Sequence, residues 1–266
     1  MTTPVLILGA GRMGGALIEG WTRTGAFQPS DLILRDPYPG PAALAAQAAG
    51  ALLNPPDAVM AQAATVLVAV KPQAWRQAAE AVVPSLEPGA VVVSIAAGVK
   101  TDDLAAVFQG RPVARVMPTT AVALAKGVAS IYAAEPLARQ RAHDLFDSVA
   151  VGVDLDDEGL MDAATGVSGS GPAYLYAFIE ALEAAAQGQG FSGEAAARMV
   201  RGTLIGAAAL LDQSGEEPAE LRRQVTSPGG TTEAALKVLM GESGLGPLMR
   251  AATQAAADRS RELSKS

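Results

Sequence analysis

The chain has 266 residues, 50% hydrophobic and 18% charged, which is enough apolar material for a sizeable core and length enough for two domains. A net charge of −7 argues against nucleic acid or an anionic membrane surface as the main partner, so neither is expected. Cysteine is absent and His143 is the single histidine, which excludes disulfides, thiol nucleophiles, His-centred triads and Cys- or His-rich metal sites; no metal is expected. The first apolar run, Val5–Leu8, is too short for a secretory signal and no positive residue precedes it. The uncharged stretches 37–56 and 163–179 are broken by Pro and Gly, so they do not read as membrane spans, and the expected setting is the cytoplasm.

Short runs rich in β-branched residues recur at Val5–Leu8, Leu32–Leu34, Val66–Val70, Val91–Ile95, Val113–Val116 and Val128–Tyr132. Their apolarity is continuous rather than alternating, the pattern of strands buried on both faces of a parallel sheet. Ala-rich segments of helical character, such as 12–24, 40–50 and 73–83, lie between the first five, so right-handed βαβ units and a doubly wound α/β sheet are expected. After about residue 160 strand-like runs stop. Pro172 opens a helix whose Tyr174, Phe178, Ile179 and Leu182 share one face, and Gly190 can close it. A second helix spans roughly 194–213, Pro218 opens a third, and a fourth starts near Thr231. The expected organisation is a dinucleotide-binding domain over 1–158 and an all-helical dimerisation and substrate domain over 159–266. The Gly- and Ala-rich helices of the second leave apolar surface for a partner copy, giving a homodimer or a larger homo-oligomer built from dimers.

Gly9-x-Gly11-x-x-Gly14 follows the first strand and opens a helix. In that context the glycines let the backbone approach a pyrophosphate at the helix N-terminus, and Leu8, Ala10, Arg12 and Met13 complete the loop. The alternative is a tight strand-to-helix turn without a ligand. The second strand ends at Arg35-Asp36. An acidic residue there suits the ribose 2′-hydroxyl of NADH and an Arg suits the 2′-phosphate of NADPH; Asp36 leans toward NADH and Arg35 keeps NADPH open. Two further loops follow strands: Ala69-Val70-Lys71-Pro72-Gln73 and Ser94-Ile95-Ala96-Ala97-Gly98. Ligands of open α/β sheets bind beyond strand carboxyl ends, so Ala69, Val70, Lys71, Pro72, Ile95, Ala96 and Ala97 are candidate cofactor contacts. Lys71 could act as an acid, but Pro72 forces it to an extended backbone, which favours loop shaping.

The segments "GAGRMG", "AVKPQ", "SIAAG", "RVMPTT", "TGVSGSGPAYLYAFIEAL" and "VTSPGGTT" occur in this order from near residue 5 to near residue 262. On these motifs the chain resembles the pyrroline-5-carboxylate reductase family. The resemblance implies a Rossmann domain followed by a dimerising helical domain, NADPH or NADH as cofactor, and reduction of 1-pyrroline-5-carboxylate to L-proline. It also implies that Ser227 and the backbone N–H groups of Gly229, Gly230 and Thr231 bind the substrate carboxylate. Thr232 would bond the ring nitrogen as the catalytic contact. Such a site needs no acid, base or nucleophile, because a protonated imine is already electrophilic and the protein's part is orientation. Taken alone, "SPGG" reads better as a plain turn before a helix, and the other motifs reverse that preference.

The remaining candidates have blander readings. Ser168-Gly169-Ser170-Gly171-Pro172 looks like a capped helix entry, placed by the family beside the active site. His143 is read as a surface residue. Glu180 and Glu183 are read as solvated or interface charges, and Asp154–Glu158 as a solvated connection. The chain departs from the family pattern at Arg12, Thr119, Ala121 and Asp36, which puts cofactor choice and substrate detail in question. Two rival readings stay open: a reductase of a related cyclic imine or 2-hydroxy acid, and a non-enzymatic NAD(P)H-sensing dimer.

Overall fold

The computed structural model describes residues 2–263. The chain begins with β1 (Val5–Leu8), α1 (Arg12–Thr24), β2 (Leu32–Arg35), α2 (Pro41–Ala48), β3 (Leu52–Leu53), α3 (Asp57–Met60) and β4 (Thr65–Val68). It continues through α4 (Trp75–Glu80), β5 (Val91–Ser94), α5 (Thr101–Val107), β6 (Val113–Pro118), β7 (Gly127–Ala133), α6 (Pro136–Phe146), β8 (Ala150–Asp154) and α7 (Met161–Ala164). Helices follow without further strands: α8 (Gly171–Gly188), α9 (Gly193–Ser214), α10 (Pro218–Gln224), α11 (Thr231–Leu239) and α12 (Leu245–Leu263).

The strands form one sheet in the order β3-β2-β1-β4-β5-β6-β7-β8. Neighbours run parallel except for β6 and β7. Because β1 pairs with both β2 and β4, the strand order reverses there, and ligands of such sheets bind in the crevice beyond the strand ends at that reversal. The continuous apolarity has its reason in two cores, one on each face. Val5 and Ile7 of β1 pack with Leu17, Ile18 and Trp21 on one side, while Leu6 and Leu8 join Met60, Trp75 and Leu104 on the other. Trp21 donates its buried indole N–H to the Leu145 carbonyl at 2.7 Å, which satisfies the one polar atom that ring brings inside.

Two strands have no counterpart in the sequence pattern. β3 is two residues long, and β8 is an edge strand whose Val151 and Val153 are exposed, so neither shows a continuous buried run. The segment 73–83 is less regular than expected: α4 is flanked by single 3-10 turns at Pro72–Ala74 and Val83–Ser85.

The chain separates into two compact units, residues 2–169 with 256–263, and residues 170–255. Within the second, α8 begins on Pro172 in its first turn and stops just before Gly190, whose φ is +96°. Ser192 caps α9 by accepting from the Ala195 N–H, and Gly215 ends it in the left-handed region. α10 opens on Pro218 and α11 at Thr231. α12 was not anticipated; its last residues belong to the first unit, where Ala257 is buried and the Ser260 hydroxyl bonds the Asp162 carboxylate. No helix among the described residues is long and apolar enough to cross a membrane.

Candidate active site

The three glycines of the first loop have three different surroundings. Gly9 sits at φ +95° between β1 and the Ala69-Val70 backbone, where a Cβ would come within 2.9 Å of the Val70 nitrogen. A Cβ on Gly14 would stand 2.2 Å from the Gly9 carbonyl oxygen, so this position sets how closely α1 packs on the loop. Gly11 faces open space, with nothing within 4 Å of a Cβ. A turn, an open approach and a close packing contact are the three roles of a pyrophosphate loop. Gly11 caps α1 with no side-chain hydrogen bond and no acidic residue follows in the first turn. The free N–H groups of this 13-residue helix therefore meet no competing anion. Arg12 is exposed beside them and Met13 half-buried. The residues fit a dinucleotide.

Asp36 is buried, and both carboxylate oxygens already take backbone N–H groups: Oδ2 from Ala10 at 2.7 Å and Oδ1 from Tyr38 at 2.8 Å. Its own backbone is clamped by Asn54, whose Oδ1 accepts from the Asp36 N–H and whose Nδ2 donates to the Asp36 carbonyl. The carboxylate expected at the ribose thus also holds the glycine loop in place. Arg35 is half-exposed, 3.6 Å from Asp57, and lines a cavity of about 530 Å³ together with Leu8, Asn54, Val70, Gln77 and Ala78. That cavity lies beyond the carboxyl ends of β1 and β2. A second cavity, about 700 Å³ between α1 and α2, holds none of the expected site residues.

Lys71 is exposed and extended, with ψ 149°, as Pro72 dictates. Ala69 follows β4 with its N–H on the Leu8 carbonyl, and Ile95 follows β5 with its N–H on the Val68 carbonyl. The structure therefore gathers Leu8–Gly14, Arg35, Asp36, Ala69–Pro72 and Ile95–Ala97 at one edge of the sheet. Thr119 is buried; its Oγ accepts from the Val128 N–H at 3.1 Å, so this departure from the family pattern is absorbed inside the β6–β7 connection.

The expected substrate residues lie together in the second unit, in the turn between α10 and α11 and the first two residues of α11. Gly229 has φ +69°, which makes a side chain there strained, and Gly230 caps α11. The amides are not all alike. Gly230 donates to the Ser227 carbonyl, and Gly229 donates to Glu233 Oε2 at 2.6 Å. The N–H groups of Thr231, Thr232 and Glu233, the first turn of α11, have no intrahelical acceptor. Ser227 and Thr231 are exposed and Thr232 half-buried. The Glu233 carboxyl is held below the ordinary carboxylate range, first by the Gly229 N–H and then by Lys237. Glu233 was not singled out from the sequence, although a Glu in the third position of a helix reaching back to the turn is a recognised pattern.

Two family models match the chain: "pyrroline-5-carboxylate reductase dimerisation" over residues 158–263 and "NADP oxidoreductase coenzyme F420-dependent" over residues 4–98. The pyrroline-5-carboxylate reductase of Pseudomonas aeruginosa is 41% identical, with 100% of this chain and 98% of that one aligned. The chain belongs to the pyrroline-5-carboxylate reductase family. The family member of Methanosarcina acetivorans is 35% identical over 97% of each chain. Among solved structures, the family enzyme of Coxiella burnetii has a TM-score of 0.90 at 27% identity and full coverage of both chains. The Plasmodium falciparum family enzyme, determined with NADP bound, has a TM-score of 0.81 at 25% identity, with 98% of each chain covered.

Four sequence readings outside the site gain partners in the structure. His143 is not simply solvated: it is half-buried, with Nδ1 2.9 Å from Asp147 and Nε2 3.2 Å from Asp154, because α6 lies against β8. Asp154–Glu158 is not a bare connection either; Asp154 also takes Arg139, and Glu158 reaches Arg115 and Thr101. Glu183 pairs with Arg201 across α8 and α9 at 2.8 Å. Ser170 stands at the N-cap of α8 with Pro172 in the first turn, as the helix entry was read, but it makes no side-chain capping bond. The stretch Thr165–Gly169 is a π-turn in which the Ser168 hydroxyl donates back to the Ala164 carbonyl.

Proposed function

We propose that this chain reduces 1-pyrroline-5-carboxylate to L-proline, the last step of proline biosynthesis, with NADPH or NADH supplying the hydride. Residues 1–158 bind the dinucleotide and 159–266 bind the substrate and dimerise. The observation that carries the substrate reading is the first turn of α11, where the Thr231, Thr232 and Glu233 N–H groups have no intrahelical acceptor and follow exposed Ser227 closely in the chain. Free N–H groups at a helix start suit a substrate carboxylate, whereas the Gly229 and Gly230 N–H groups, expected among the donors, are held by Glu233 and by the Ser227 carbonyl and shape the turn instead.

The substrate is a cyclic imine. When its nitrogen is protonated, hydride addition to the C=N carbon sends the π electrons onto that nitrogen, and the product is a secondary amine. Ser227 and the free N–H groups from Thr231 onward fix the carboxylate, and Thr232 Oγ accepts from the ring N–H. The ring is thereby oriented without any group that must donate a proton during the step. The glycine loop and the first turn of α1 hold the pyrophosphate. Arg35 is the cation available to a 2′-phosphate, while Asp36 fixes the loop.

The family's dimerisation model and the apolar faces of the helical half support a homo-oligomer, and a homodimer is the smallest form that covers them. The cytoplasm fits a reaction between small soluble metabolites. The deciding experiment is steady-state oxidation of NADH and of NADPH with 1-pyrroline-5-carboxylate. Absence of turnover with both dinucleotides removes the reading. Faster turnover of another cyclic imine would move it to that substrate.

A further inference from the structure

Arg115 stands in β6 with its side chain 5% exposed, in register with Ser94 of β5. Its partner is Glu158, with Nη1 3.2 Å from Oε1; among the described residues no atom accepts from Nε or Nη2. A buried ion pair is weak evidence for stability, because desolvation offsets the attraction and apolar side chains of similar volume often serve as well. The other contacts of Glu158 give this pair a different purpose. Oε1 also accepts the Thr101 N–H at 2.9 Å, and Oε2 accepts the Thr101 hydroxyl at 2.8 Å. Thr101 opens α5 three residues after the Ser94–Gly98 loop. That loop is tight: the Ile95 N–H reaches the Val68 carbonyl, and the Ala96 N–H reaches the Ser94 hydroxyl. Its two ends are thus tied to the same pair, Ser94 through the strand beside Arg115 and Thr101 through Glu158.

We infer that Arg115 and Glu158 are positioning residues. They lock Thr101 so that Ile95–Ala97 keep the backbone that receives the nicotinamide half of the dinucleotide. This rests on the reading of Ile95, Ala96 and Ala97 as cofactor contacts. Neither residue touches the ligand; each acts through the loop.

The test separates alignment from stability. Glu158→Gln leaves the Arg115 charge buried without a counter-charge and lowers the melting temperature. The double variant Arg115→Met with Glu158→Met removes both charges together with the acceptors of Thr101, and brings the melting temperature back toward the wild-type value. Affinity is then measured for the reduced dinucleotide that the wild type binds more tightly, and for the matching ADP-ribose, with or without the 2′-phosphate, which lacks nicotinamide. The double variant should bind the dinucleotide roughly tenfold more weakly, the equivalent of one lost alignment contact, and the ADP-ribose as the wild type does. Thr101→Val, which removes only the hydroxyl, should shift the dinucleotide alone in the same direction by a smaller factor. Unchanged affinity for both ligands overturns the inference, as does equal weakening of both. A wild type that binds neither dinucleotide also overturns it. Turnover of 1-pyrroline-5-carboxylate is read separately, so its absence would remove the proposed reaction and leave this binding comparison standing.

Discussion

Every residue of β1, β4 and β5 is buried, whereas among residues 170–255 only Ala196 and Val200 are. The two halves carry similar kinds of apolar side chain and use them differently. A parallel strand covered on both faces makes its own core, so the sheet half is complete in one chain. The helices α8 to α11 leave Leu175, Tyr176, Ile205, Leu210 and Val238 exposed. Each such side chain, once covered, contributes about 1.5–3 kcal/mol, so the stability of the helical half resides in what covers it.

The most severe way to break this contrast is Ile205→Asp in α9, where Ile205 is 71% exposed. An unpaired carboxylate placed in an apolar interface costs several kcal/mol. Sedimentation should show dissociation to monomer at micromolar concentration, with activity down about 100-fold or more. An assembly that stays intact would place Ile205 in solvent.

Thr232→Val probes the helical half's chemistry alone. Loss of a hydrogen bond to a charged group is worth about 1.5–3 kcal/mol, so kcat/KM for the imine should fall about 10- to 150-fold. Dinucleotide affinity should be unchanged. A lower melting temperature with normal turnover would make Thr232 a cap only.

On the sheet side, Gly11→Ala and Gly14→Ala should part company. The Gly11 variant adds its methyl in open space, so it should melt like wild type yet bind dinucleotide about tenfold more weakly, because the methyl occupies the pyrophosphate approach. The Gly14 variant forces a methyl against the Gly9 carbonyl, so its melting temperature itself should fall.

Asp36→Ser should weaken NADH and NADPH binding together by a few-fold, since the Ala10 and Tyr38 N–H groups lose their acceptor. An improved NADPH-to-NADH ratio instead would show that the carboxylate acts chiefly against the 2′-phosphate.

The smallest effect belongs to His143. The Asp147 hydrogen bond, aided by Asp154, raises its pKa above the ordinary 6.5. A raised folded-state value means the contribution is complete below about pH 6.5 and is lost as pH rises through the folded value. The melting temperature should therefore drop by about 1–3 °C more across that window in wild type than in His143→Gln.

The doubly wound sheet was legible because strands buried on two faces leave unbroken apolar runs. β8 escaped because an edge strand with exposed Val151 and Val153 need not show one, and the antiparallel direction of β7 leaves no mark in composition. In the site, the glycine loop and the Ser227–Thr232 turn could be read because backbone geometry restricts the residue types allowed there. Asn54, Arg115 and Glu158 could not. Their partners are 18, 43 or 57 residues away, and a pattern along the chain does not carry that information.

The bond between Ser260 and Asp162 joins residues 98 apart, across the whole helical segment. Closing a flexible loop of that length costs about 4 kcal/mol of chain entropy, and contacts of such sequence separation form late. In topological terms the helical half is an insertion within the sheet half, whose final helical turns dock only after the detour is made. Whatever orders the inserted segment shortens the effective loop. A partner copy that covers the helices would therefore stabilise the sheet half through chain connectivity alone.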